Sequence, residues 1–220
     1  GANDSLDQRV ALMPQQVAVI DYGSGNLHSV AKAIEHNNAV KVVVTGDPEQ
    51  IRQADRVVLP GVGAMGDCLE GLRARGLDQL IDELIGQIPL MGVCVGMQIL
   101  AESGEESDGV EALGVFPGQV TRFSSQAVDA DGLQLKVPHM GWNQVMQRAH
   151  PMWTSIPDAT RFYFVHSYRY AQTLSEQVVG VCDYGDSFAA ALACEGVFAV
   201  QFHPEKSHDM GLRLYRNFLT

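Results

Sequence analysis

Residues Pro89 to Leu100 read PLMGVCVGMQIL: an apolar run breaks at a cysteine held between Gly92 and Gly96, then resumes at helical spacing. The run reads as a strand from Pro89 to Cys94, and Met97 to Glu102 opens a helix. A GxCxG sequence at such a junction has the form of a nucleophile elbow with sulfur in place of the serine oxygen. The glycines give a tight turn the room to hold its central residue in a strained backbone conformation. Cys94 would then stand at a helix N-terminus, where the positive end of the dipole favours thiolate, and the Val95 N–H would face an oxygen that develops charge. The same residues also fit a small buried thiol, with glycines that merely allow helix and strand to pack closely, because free cysteine is among the most buried residue types.

Working outward, Val17 to Asp21 (VAVID) runs into the glycine-rich turn YGSGN, after which Leu27, Val30, Ala31 and Ile34 recur at helical spacing. Val40 to Thr45 and Arg56 to Pro60 are further strand candidates, and Leu69, Leu72, Leu77, Leu80, Ile81, Leu84 and Ile85 mark one long helical stretch. Strands that are apolar nearly throughout and alternate with helices predict a parallel sheet covered on both faces. From Gly114 onward the pattern alternates and breaks as hairpins do, in VTRF, LQLKV and RFYFVHSYRY, and Val178 to Asp183, Phe188 to Cys194 and Val197 to Phe202 continue in that manner. Antiparallel strands appended to a parallel core fit this half, and Met210 to Leu219 closes the chain as an amphipathic helix.

Bulk properties narrow the classes. The chain has 220 residues, 46% of them hydrophobic, enough for a single substantial core. Residues 1 to 16 are polar and aperiodic and read as a tail, which leaves 17 to 220 as one domain. No apolar run reaches the length of a membrane span and no signal-peptide pattern is present, so a soluble, cytoplasmic protein with no membrane partner is expected. A net charge of -11 argues against nucleic acid as a partner. Cys68, Cys94, Cys182 and Cys194 show neither a disulfide framework nor zinc-ligand spacing, so no metal and no cofactor is expected.

A thiolate nucleophile needs a base. His203 follows the strand candidate VFAVQF, and Pro204 stops any sheet ladder there, which puts the imidazole at the C-terminal rim where open α/β sheets build their sites. Glu205 has the parity to accept the other ring N–H and fix the tautomer, although most HxE triplets are solvated loops. At the end of the third strand, Gly61-Val62-Gly63 offers backbone N–H groups at the same edge, each worth roughly 3 kcal/mol to an acyl-transfer transition state if aimed at the oxyanion. A purely structural turn would carry the same sequence.

With PGVGA, GVCVGMQ and FHPE in this order, the chain resembles the class I (triad-type) glutamine amidotransferases from Val17 to its end. DYGSGN, PHMGWN, YFVHSY and QFHPEKS are similar, within that family, to glutaminase subunits of imidazole glycerol phosphate synthases of histidine biosynthesis. The resemblance implies a flavodoxin-like parallel sheet with helices on both faces and an added antiparallel section. It implies that Cys94 attacks the side-chain amide of L-glutamine, that His203 moves the proton and that Glu205 orients His203. It further implies an oxyanion hole from Val62, Gly63 and Val95, and glutamine held at Gly61, Gln98, Ser167 and Tyr168. The implied partner is a (β/α)8-barrel cyclase that uses the ammonia to make imidazole glycerol phosphate and AICAR, docked and gated through Asn26, Tyr163 and Lys206. Without the resemblance, these would read as an amphipathic-helix polar residue, strand ends, a capping Asn, a sheet Tyr and a surface Lys.

A peptide flip at Gly61 to Gly63 costs little, so that turn is suited to keep the hole incomplete until the partner is engaged. The leading residues and the polar segment Thr121 to Gly132 depart from a minimal family member. Glutaminases of pyridoxal phosphate, anthranilate or GMP synthesis share the elbow and HPE, and a free-standing γ-glutamyl hydrolase or a non-catalytic relic are the remaining alternatives.

Overall fold

The computed structural model describes residues 14–37 and 39–220. Its centre is a parallel sheet of β2 (Val40–Thr45), β1 (Gln15–Ile20), β3 (Arg56–Leu59), β4 (Leu90–Val93) and β13 (Val197–Val200), hydrogen-bonded in that order. This is the flavodoxin-type order, in which ligands collect beyond the carboxyl ends of the strands. The strands read as nearly pure Val, Ile, Leu and Met because both faces are covered: Val17 to Ile20, Val57 to Leu59, Leu90 and Met91 are all fully buried. Helices α1 (Leu27–Glu35), α2 (Pro48–Arg52), α3 (Met65–Arg73), α4 (Leu77–Leu84) and α6 (His208–Phe218) supply the cover. They bury stripes such as Leu77, Leu80, Ile81 and Leu84.

Several expected boundaries shift. Of the sixteen residues read as a tail, 1–13 lie outside the described residues, whereas Gln15 and Gln16 pair with Val40 and Lys41 as the first positions of β1. The single long helix expected across Leu69 to Ile85 is two, because Gly76 takes a left-handed conformation with φ 66° and ends the first. Helix α2 was not expected, although Asp47 caps it by accepting from the Glu49 N–H at 3.0 Å and Pro48 opens it.

The largest correction follows the elbow. Helix α5 (Val95–Gln98) lasts four residues, and the chain from Ala101 becomes β5 (Ala101–Gly104), with β6 (Val110–Glu111) beside it. Parallel pairing with β7 (Phe116–Arg122) supplies the ladder that holds β5 extended. The antiparallel section then contains β8 (His139–Gln147), β9 (Thr160–His166), β10 (Tyr168–Tyr170), β11 (Val178–Tyr184) and β12 (Asp186–Cys194). LQLKV contributes only an isolated bridge between Val128 and Gln134. Val197 to Phe202 was read with the antiparallel group, but β13 pairs parallel with β4 as well as antiparallel with β12, so it joins the two parts of the sheet. Among the described residues no helix is long and apolar enough to cross a membrane.

Candidate active site at the strand ends

Strands β3, β4 and β13 deliver three turns to one edge: Pro60 to Gly63, Cys94, and Gln201 to Glu205. Cys94 takes φ 56° and ψ -117°, a backbone region that side chains rarely enter. It is pinned there by its N–H on the Val200 carbonyl at 2.8 Å and by Met97 N–H on its own carbonyl at 2.9 Å. Gly96 is obligatory in this packing, since a Cβ would overlap the Leu59 carbonyl. Cys94 is 4% exposed.

His203 is brought opposite Cys94 by the next strand and is tied to β9 through its N–H on the Tyr163 carbonyl, 2.9 Å. Ser207 Oγ donates to the His203 carbonyl and accepts from the Tyr163 N–H at 3.0 Å, so the HPE turn is anchored at both ends. His203 Nδ1 is 2.7 Å from Glu205 Oε1, and that carboxylate also accepts from Tyr215 Oη on α6 at 3.4 Å. Nε2 is left buried and without a hydrogen-bond partner among the described residues. Burial alone would lower the His203 pKa; the adjacent Cys94 sulfur and the Glu205 carboxylate outweigh it and hold the imidazole at about 10. A cysteine and a histidine placed in this way can share a proton.

The cleft in front of them encloses about 600 Å³ and is lined by Val62, Gly63, Val95, Gln98, Ser167, Tyr168 and Lys206, among others. Gln98 is buried and directs its amide N–H groups to the Tyr168 carbonyl at 3.1 Å and to Gln201 Oε1 at 3.0 Å. Tyr168 is overlaid by the Arg122 guanidinium, 5.7 Å from the ring centre. Tyr163 receives Lys206 Nζ at 5.9 Å from its ring centre and lies edge-on to Trp142. Asn26 caps α1 through its carbonyl, which accepts from the Val30 N–H at 3.2 Å; its side chain makes no cap bond.

On the oxyanion side the N–H groups of Val95 and Val62 are directed at other acceptors. The Val95 N–H is not free: a first-turn donor with no partner inside its own helix, it donates to the Gly61 carbonyl at 3.2 Å. The Val62 peptide is tied back to the YGSGN loop. Its carbonyl accepts from Ser24 Oγ at 2.9 Å and from Cys68 Sγ at 3.4 Å, and its N–H points to Ser24 Oγ at 3.5 Å. Gly63 has φ 82°, and Tyr22 Oη holds the start of the turn at the Pro60 carbonyl, 2.6 Å.

The sequence reading missed four residues here. Gln201 Nε2 reaches Cys94 Sγ at 4.0 Å, and its parity with His203 was a usable signal. Tyr215 lies in the closing amphipathic helix, whose pattern asks only for packing. Glu106, between β5 and β6, and Arg122, at the end of β7, line the cleft, and nothing local marked them. Among the described residues no cluster of His, Cys, Asp or Glu is arranged to hold a metal ion.

Comparison with known proteins agrees with this geometry. The family model for class-I glutamine amidotransferases matches residues 18–220. An imidazole glycerol phosphate synthase subunit HisH 1 from Pseudomonas aeruginosa is 58% identical over 209 residues, covering 94% of this chain and 98% of the relative. HisH from Nitrosococcus oceani is 54% identical over 206 residues, covering 93% and 96%. Among solved structures, PurLQS from Thermotoga maritima superposes with a TM-score of 0.72 at 19% identity, over 94% of this chain and 98% of that one. A glutamine amidotransferase gives 0.67 at 21% identity, over 92% and 96%. Strand order, elbow and sequence kinship converge, and the chain belongs to the class-I glutamine amidotransferase family.

Proposed function

We propose that this chain is the glutaminase subunit of an imidazole glycerol phosphate synthase, working in the cytoplasm with a (β/α)8-barrel cyclase as its partner. The observation that carries the glutaminase chemistry is the Cys94 elbow beside the His203–Glu205 pair, whose Nδ1 and Oε1 are 2.7 Å apart, on one wall of a cleft of about 600 Å³. The synthase assignment leans on the relatives' names.

Cys94 thiolate attacks the side-chain amide carbon of L-glutamine, and the carbonyl oxygen takes up the negative charge. His203, holding the thiol proton, passes it to the amide nitrogen as the C–N bond breaks, which releases ammonia and leaves a thioester. Water, deprotonated by the now neutral His203, attacks the thioester carbon; the C–S bond breaks, glutamate leaves and the Cys94–His203 pair is restored. Glu205 fixes the tautomer by accepting at Nδ1 and stabilises the imidazolium. Gln98, Ser167 and Tyr168 hold the glutamine backbone, with Glu106 and Arg122 offering opposite charges to its ammonium and carboxylate.

The oxyanion is the step this conformation serves least, because the Val95 N–H is engaged by Gly61 and the Val62 N–H faces Ser24. Turning the Gly61 to Gly63 segment would free the first donor and bring Val62 or Gly63 into the hole. The face carrying Asn26, Tyr163, Lys206, Trp142 and the exposed Met140 is the docking surface, where partner contact would supply the energy for that turn. It presents apolar and basic groups on a chain of net charge -11.

Incubation with a glutamine-analogue electrophile tests the chemistry. A single covalent adduct on Cys94, absent in Cys94→Ala, is the expected mass-spectrometric result; labelling that survives the substitution would contradict it.

A further inference from the structure

The chemistry above leaves three motif residues without a role: His139 and Asn143 of PHMGWN and His166 of YFVHSY. Both histidines are buried, enclosed by Phe123, Phe164, Tyr184 and Phe188. Asn143 Nδ2 lies 3.2 Å from His139 Nε2, His139 Nδ1 lies 2.9 Å from His166 Nε2, and His166 Nδ1 lies 2.8 Å from the Tyr168 carbonyl.

The two ends decide every proton. A carbonyl only accepts, so His166 carries its hydrogen on Nδ1 and offers a lone pair at Nε2. His139 must then donate from Nδ1 and accept at Nε2, where the Asn143 amide provides the hydrogen. The Asn143 orientation is set independently: its Oδ1 accepts from the Gln144 N–H at 2.8 Å and its Nδ2 also donates to the Asp183 carbonyl at 2.8 Å. Burial pushes His139 down to about 4 and His166 to about 3, so both rings are neutral at ordinary pH, as this chain of donors requires.

The far end of the chain is the carbonyl that also receives Gln98 Nε2 at 3.1 Å. We infer that Asn143, His139 and His166 form a one-way hydrogen-bonded chain that fixes the Tyr168 carbonyl and, through it, Gln98, making them positioning residues for bound glutamine. A phenylalanine at either histidine position would fill the space without any polar group to satisfy; the polar chain makes sense because it ends on the wall of the cleft. The inference rests on the glutamine pocket proposed above.

Two measurements test it. In the 15N-histidine-labelled full chain, long-range proton–nitrogen correlation should show both rings as neutral Nδ1–H tautomers; an Nε2–H tautomer or a cation on either ring at neutral pH would overturn the chain. Asn143→Asp replaces the donor by an acceptor and should make the ring pair take up a proton, seen as an imidazolium signal. In glutamine hydrolysis measured with the cyclase present, His166→Gln can still donate to Tyr168 and accept from His139, so its KM should stay within about threefold of the parent. His166→Phe should raise KM roughly tenfold with kcat changed much less. Equal KM values in the two variants would reduce His166 to a packing residue. A parent protein that hydrolyses no glutamine would overturn the pocket's assignment alone, because the tautomers report on the chain without reference to activity.

Discussion

On one wall of the cleft, the side chains of Cys94, His203 and Glu205 are buried, with His203 and Glu205 tied to β9 and α6. On the other, the turn runs from buried Gly61 to the surface at Val62 and Gly63, with Val62 39% exposed and fastened to Ser24 and Cys68. The first wall is held by groups that cannot rearrange without leaving buried polar atoms unpaired, which is costly. The second is held by two or three exchangeable hydrogen bonds at glycine, where the backbone turns cheaply. In the proposed mechanism the charge-bearing groups are thus preset, and the donors that would stabilise the oxyanion are adjustable.

Breaking the preset wall should have the largest effects. Cys94→Ala is expected to lower glutamine hydrolysis by at least about 10⁴-fold while the thermal transition remains cooperative, since removing a nucleophile costs on that order. Glu205→Gln keeps an acceptor for Nδ1 but loses the charge, and a kcat reduction of roughly 10²-fold is expected; a KM effect alone would mean that Glu205 does not act through His203.

Loosening the adjustable wall should work in the opposite direction. Ser24→Ala removes the 2.9 Å bond to the Val62 carbonyl and should raise the turnover of the isolated chain, by roughly threefold to tenfold, with less effect once the partner is bound. A decrease would show that Ser24 holds the active orientation of the turn.

The smallest effect concerns pH and stability. His203 has its pKa raised above the unfolded value, so it contributes stability fully present below about pH 6.5 and lost as pH rises toward 10. The Cys94 sulfur is a main cause, so urea midpoints of the parent should fall across that window by more than those of Cys94→Ala. Parallel slopes in the two proteins would place the histidine's charge elsewhere.

How much of this was legible in the sequence follows from the same physics. The parallel strands announce themselves because burial on both faces makes them uniformly apolar, and Cys94, His203 and Glu205 stand out because Gly or Pro marks the strand end beside each. Partnerships between distant segments carry no such mark. Nothing in Val197 to Val200 says that it lies between β4 and β12, and nothing in Ala101 to Gly104 says that β7 will hold it extended. Tyr215 serves Glu205 from a helix whose local pattern asks only for packing, and Gln201 reaches the thiol because two strand ends meet. The capture of the Val95 N–H by Gly61 is likewise a tertiary event, although the glycines identified where it would happen.

The contrast between the two walls is tested most directly by glutamine turnover of the purified chain with and without the partner cyclase subunit and its acceptor substrate. Each oxyanion donor brought into place is worth about 3 kcal/mol, so adding the partner should raise the rate on the order of 10²-fold for one donor and about 10⁴-fold for two. Equal turnover in the two conditions would contradict it, and would mean that the turn seen here is already competent.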